Sequence, residues 1–309
     1  MHRRRRLKKQ YRILLRVIVG VAIILAGGRI VKGMLANRQT TQQAEMDQAA
    51  GSSSATNHSN HVVKLGNTVN VNQALQTAWQ KVLKGTTANV DIAVYSPKTG
   101  RTYTYSVKQS DDATFPTASI LKVTVMAAVL HQNQTNGTTL TSTEQSEMQA
   151  MIENSDNDAC TDLLDNVLGG NDGNDATYSA LGMTGTTADM TGWAMTTTTA
   201  ADQLKVLNAI FYGADNYLTK SERTYAMSLM STVESDQDWG ISAGATHYQL
   251  KNGWRLEDNG DWIVNSIGHV GKTSEQGYTI AVLTNDNATQ DDGEKVVENL
   301  AAATKTVLN

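Results

Sequence analysis

The chain has 309 residues, 40% of them hydrophobic, and a formal net charge of −4, enough to bury one large core or two coupled subdomains. One cysteine, Cys160, excludes an intrachain disulfide, and with no H-E-x-x-H or Cys/His cluster the sequence argues against zinc; no metal or cofactor is expected. Residues 1–16 carry eight basic side chains and no acidic one, so taking those eight from −4 leaves −12 for the rest and argues against nucleic-acid binding by the main body.

Residues 1–12 read as a basic tail on the cytoplasmic side. An uncharged run, 17–28, follows; a basic flank and then an apolar run is the signature of an export signal or signal anchor. Twelve residues are short of the roughly 20 a span needs, but 13–35 is long enough if Arg16, Arg29 and Lys32 snorkel to the interfaces. Ala26 and Gly28 offer a cleavage point as the alternative. The expectation is an uncleaved single-pass anchor, with the body extracytoplasmic, or secreted if the signal is removed. Residues 36–65, rich in Gln, Thr, Ser, Asn and Ala, bury too little to offset their ordering entropy and read as a flexible linker. His58 and His61 belong to that solvated linker rather than to a metal clamp.

From residue 66 to 309 the pattern is that of a folded domain. Val71, Leu75, Trp79 and Val82 recur at helical spacing and Gly85 stops the helix. Val90, Ile92 and Val94 alternate as a strand, as do Tyr103, Tyr105 and Val107, with a turn at 96–100. Helices are expected at 142–153, 159–168, 199–212 and 221–233, strands near 247–253, 262–270 and 278–285, and a closing helix from about 294 to 308. Strands at both ends with helices between predict an α/β fold: one antiparallel sheet flanked by the terminal helices, plus an all-helical subdomain.

The chemistry begins at Ser119 and Lys122. From Ile120 to Leu130 the run is apolar on nearly every side, so the lysine is buried, at a cost of several kcal/mol unless paired or deprotonated. Ser119 shares its helix face one turn back, and a hydroxyl beside a desolvated amine is a nucleophile with its activator. Ser155, Asp156 and Asn157 come about 35 residues later, and Lys251, Asn252 and Gly253 about 95 residues after those. Taken separately, the second triplet is a helix-capping turn and the third a strand end with a solvated lysine. Two decoys are set aside. Lys98, Thr99 and Gly100 precede the serine in a hairpin turn, and Gly271, Lys272 and Thr273 lack the first glycine and the helix of a P-loop.

In content, order and spacing these motifs resemble the S-x-x-K, S-D-N and K-T-G set of class A β-lactamases and penicillin-binding proteins. The resemblance covers about residues 65–309. It implies the α/β sandwich with a helical subdomain and a site in the cleft between them. Ser119 would attack a carbonyl, with Lys122 as its base. Ser155 would relay a proton to the leaving nitrogen. Asn157 would orient Lys122 and the substrate's side-chain carbonyl, and Lys251 would attract the substrate carboxylate. Asn252 and Gly253 would complete the substrate site, and the backbone N–H of Trp254 would join that of Ser119 in an oxyanion hole. Two features depart from the pattern. Asn252 stands where Thr or Ser is usual, and residues 169–199 hold neither a glutamate nor the E-x-x-L-N stretch whose glutamate activates the deacylating water. Their acids are Asp172, Asp175 and Asp189, of which the last is a weak substitute. The implied activity is acylation at Ser119 by β-lactams with slow hydrolysis. The alternatives are a D-alanyl-D-alanine carboxypeptidase or related amidohydrolase acting on peptidoglycan stem peptides, and a non-catalytic penicillin-binding sensor. A monomer is expected.

Overall fold

The computed structural model describes residues 70–109 and 114–308. The tail, the anchor expected over 13–35 and the linker lie outside the described residues, among which no helix is long and apolar enough to cross a membrane.

Helix α1 (Val71–Val82) starts at Asn70, whose side chain accepts from Gln73 N, and buries Leu75 and Trp79. Strands β1 (Asn89–Ser96) and β2 (Arg101–Val107) form the expected hairpin. With β5 (Tyr248–Leu256), β6 (Trp262–Val270) and β7 (Tyr278–Asn285) they make an antiparallel sheet of order β2-β1-β7-β6-β5. Both faces are covered, so period-2 alternation sorts apolar residues between two cores rather than between core and water. Val90, Ile92, Val94, Val264, Ile280 and Val282 meet α1 and the closing helix α8 (Gln290–Leu308). Ala93, Ile267, Ala281 and Leu283 face the helical side. Trp79 Nε1 donates to Thr304 Oγ1 at 2.8 Å, so α1 and α8 are tied within their shared layer.

A short 3₁₀ turn, Ala118–Ile120, opens into α2 (Leu121–Asn136), whose first ten residues are all buried. Around it stand α3 (Ser142–Glu153), α4 (Asn157–Leu163) continued by a π turn to Leu168, α5 (Asp175–Ala180), α6 (Ala200–Tyr212) and α7 (Lys220–Met230). Capping boxes start α3 (Thr141 with Glu144) and α7 (Thr219 with Glu222), each satisfying two otherwise orphaned N–H donors.

Three expectations shift. The closing helix begins four residues early and runs through Gly293, which is buried where a Cβ would stand 2.5 Å from Val264 Cγ2. The strand expected to end at 253 runs on to Leu256. Two short strands, β3 (Phe115–Pro116) and β4 (Thr197–Thr198), form a small second sheet where one sheet was expected.

Candidate active site

Ser119 lies in the 3₁₀ turn, half-buried, directly after Ala118 at φ +45°. A non-glycine residue there is strained, and such strain survives only where the surroundings fix it. Here Asn265, fully buried on β6, donates to Pro116 O at 2.9 Å and to Thr117 O at 3.1 Å, and accepts from Thr284 N. Thr117 N donates to Thr196 O at 2.8 Å. From beneath, Gly253 of β5 presses on the turn so closely that a Cβ would sit 2.7 Å from Ser119 N. No larger residue fits.

Lys122, one turn on, is completely buried, and its Nζ is surrounded by oxygen. Ser119 Oγ lies at 3.0 Å, Ser155 O at 2.7 Å, Ser155 Oγ at 3.2 Å and Asn157 Oδ1 at 2.7 Å. Ser155 turns both its carbonyl and its hydroxyl to that one nitrogen, and its backbone is left-handed, φ +57°. Asp156 caps α4 by accepting from Ala159 N at 2.9 Å, so one triplet both caps a helix and turns Ser155 and Asn157 to Lys122.

Lys251 Nζ, also buried, reaches Ser155 Oγ at 2.9 Å and Asn252 O at 2.9 Å. One hydroxyl therefore bridges two buried amines, and no carboxylate is hydrogen-bonded to either among the described residues. Burial pushes Lys122 down to about 8. It pushes Lys251 well below its ordinary value, and the charge of Lys122 adds to the effect. The Ser155 hydroxyl gives the two nitrogens a hydrogen-bonded path. Cys160 is no rival: burial raises its thiol to about 12.

Asn252 corrects one expectation. It was expected to help complete the substrate site; its amide instead donates to Gln237 O and Trp239 O, each at 2.9 Å, and its Oδ1 is buried without a partner. This clamp holds residues 237–239 against β5, and Trp239 meets Trp254 edge to face at 5.8 Å. Asp189 turns inward on its own loop, accepting from Thr191 N and Gly192 N. The Thr191 hydroxyl and amide hold its carboxyl below the usual range. Trp193, unremarked in the sequence, sets its ring centroid 5.1 Å from Lys122 Nζ. Asn265 was missed as well, although a lone amide inside the run Trp262–Val270 signals a buried polar group in need of partners. Among the described residues no group of three or more His, Cys, Asp or Glu side chains comes together to hold a metal ion.

A sequence profile described as the beta-lactamase enzyme family matches residues 74–150 and 143–308, taking in all three motifs. The chain belongs to that family. By family it is a β-lactamase-like serine hydrolase of amide bonds. Its fold matches a class A β-lactamase from Bacteroides cellulosilyticus at TM-score 0.66 and 18% identity, over 77% of this chain and 98% of that one. A β-lactamase from Streptosporangium roseum matches at TM-score 0.62 and 22% identity, over 76% and 98%. One from Xanthomonas campestris matches at 0.63 and 18%, over 78% and 100%. A comparison with curated proteins finds no match. At these identities the likeness speaks for the fold.

Proposed function

We propose that this protein is acylated at Ser119 by β-lactams and releases the acyl group slowly. The carrying observation is Lys122 Nζ at 3.0 Å from Ser119 Oγ, inside a network that also holds Lys251 and Ser155. Ser119 Oγ adds to the lactam carbonyl and its proton passes to an uncharged amine at Lys122. The oxyanion that forms meets the Ser119 N–H, unpaired at the start of the turn, and the N–H of Trp254. The carbon–nitrogen bond then breaks. Ser155 hands a proton to the nitrogen and is resupplied from the two amines. Two buried amines with no carboxylate hydrogen-bonded to either among the described residues favour a substrate that carries an anionic group, which would hold Lys251 in its charged form, with Asn157 offering its amide to the substrate's carbonyl.

The same absence of a hydrogen-bonded carboxylate favours a second reading, in which the acyl donor is a peptidoglycan stem peptide and the activity a D-alanyl-D-alanine carboxypeptidase. Incubation with a chromogenic β-lactam and with a D-alanyl-D-alanine peptide, followed by intact mass, separates the two. Mass gain at Ser119 with little turnover supports the first reading, and D-alanine release supports the second. Unchanged labelling in Ser119→Ala would remove the nucleophile. We further propose that residues 13–35 hold the domain at the outer face of the membrane, to be tested by fractionation and protease accessibility of the full chain.

A further inference from the structure

Release of an acyl group from Ser119 by water needs a second use of a base. The water oxygen bonds to the acyl carbon, one water proton goes to the base, the bond from that carbon to Ser119 Oγ breaks, and the proton returns to Oγ. The amines beside Ser119 are Lys122 and Lys251, and one oxygen of the Asp189 carboxylate, Oδ1, is taken by Thr191 and Gly192. Lys122 is enclosed: four oxygen contacts surround its Nζ, the Trp193 ring lies 5.1 Å away, and the residue has no exposed surface. The ring is held in place. Its Nε1 donates to Thr161 Oγ1 at 3.2 Å, and its loop is fastened by Thr196 O to Thr117 N and by the bridge between Thr187 and Thr197.

We propose that Trp193 is a positioning residue that seals the Lys122 amine from water, leaving that amine to serve acylation but not hydrolysis, and so prolongs the acyl-enzyme. Acylation draws its proton from Ser119, whose Oγ is already hydrogen-bonded to that amine; hydrolysis must bring a new molecule to the same nitrogen. The inference rests on acylation at Ser119.

The test uses the full chain and a fluorescent penicillin, with labelling rate and adduct lifetime followed separately by gel and by intact mass. In Trp193→Ala the lifetime should fall about tenfold or more, the scale of a base becoming available to water. Trp193→Phe, which keeps an aromatic ring but not the bond from Nε1 to Thr161, should shorten the lifetime only several-fold, well short of the loss in Trp193→Ala; a lifetime as short as that of Trp193→Ala would show that the ring itself seals nothing. Thr161→Val frees Nε1 from an exposed partner and should shorten the lifetime several-fold, on the order of one lost hydrogen bond. Equal lifetimes in Trp193→Ala and wild type overturn the inference while leaving acylation intact. If Trp193→Ala fails to fold, an unchanged lifetime in Thr161→Val overturns it instead. A wild-type chain that never gains adduct mass refutes acylation itself, and the inference falls with it.

Discussion

Gly253→Ala tests how tightly the strand is seated beneath the nucleophile. The added Cβ would stand 2.7 Å from Ser119 N, 2.8 Å from Ile120 N and 2.9 Å from Thr117 O. All three are backbone atoms, so no side chain can swing away. Restoring ordinary contact near 3.5 Å requires strand and turn to part by roughly 0.6–0.8 Å. The turn cannot simply rise, because Asn265 holds it at Pro116 O and Thr117 O and Thr196 O holds Thr117 N. Overpacking of this kind costs about 1–3 kcal/mol, which for a domain of this size is a fall in Tm of about 2–12 °C. The functional cost is larger. The N–H groups proposed for the oxyanion sit on the two parts being separated, and a misplacement near 1 Å costs about 100-fold. Second-order labelling by a fluorescent penicillin should therefore drop about 100-fold in a variant that still melts cooperatively. Labelling within about threefold of wild type would refute the close seating of β5 on the Ser119 turn as a requirement of the chemistry.

Labelling should rise with pH through about 8: Lys122, lowered to that value by burial, is charged below it and cannot take the Ser119 proton, and is uncharged above it. A flat profile from pH 6 to 9, or a Lys122→Ala variant labelled at the wild-type rate, would remove Lys122 as the base. Asn252→Ala frees Gln237 O and Trp239 O and should cost about 1–3 kcal/mol, read as a lower Tm together with altered preference among β-lactam side chains. An unchanged Tm and preference would show that the clamp holds nothing. Asn265→Leu strips partners from Pro116 O, Thr117 O and Thr284 N at about 1–3 kcal/mol for each group left bare, and should slow labelling without touching substrate. Normal labelling in a folded Asn265→Leu would refute its hold on the turn.

Much of the frame was legible because burial writes itself into periodicity. Val90, Ile92 and Val94 belong to one face, and the unbroken apolar stretch after Ser119 forecast a helix buried all round. The meeting of Ser119, Lys122, Ser155, Asn157 and Lys251 was legible only through motif order, since no local pattern tells residue 251 that it will lie beside residue 155. Directions of side chains were not legible. Asn252 was expected in the substrate site because it stands in the third motif; the strand instead turns its amide to Gln237 and Trp239. Trp193 carries no motif, and its place above Lys122 depends on how residues 187–197 are fastened to the turn at Thr117. The early start of the closing helix was not legible either, since glycine is a poor helix former, and the close approach to Val264 that calls for Gly293 is a tertiary contact.

The site also concentrates costs that the rest of the fold has to carry. Ala118 and Ser155 hold left-handed backbones, of order 1–3 kcal/mol each, and two amines are buried with no carboxylate hydrogen-bonded to either among the described residues. Each cost has a use. The left-handed Ser155 aims two oxygens at one nitrogen, and the strained Ala118 delivers Ser119 to the same point. Burial is what lowers the amines toward a useful pKa, so stability and reactivity pull against each other at Lys122. A carboxylate placed beside Lys122 would stabilise its charged form and raise its pKa, and would therefore slow acylation near neutral pH. That opposition explains why this network is built from hydroxyls, carbonyls and an amide: they hold the nitrogen in place without requiring that it keep its proton.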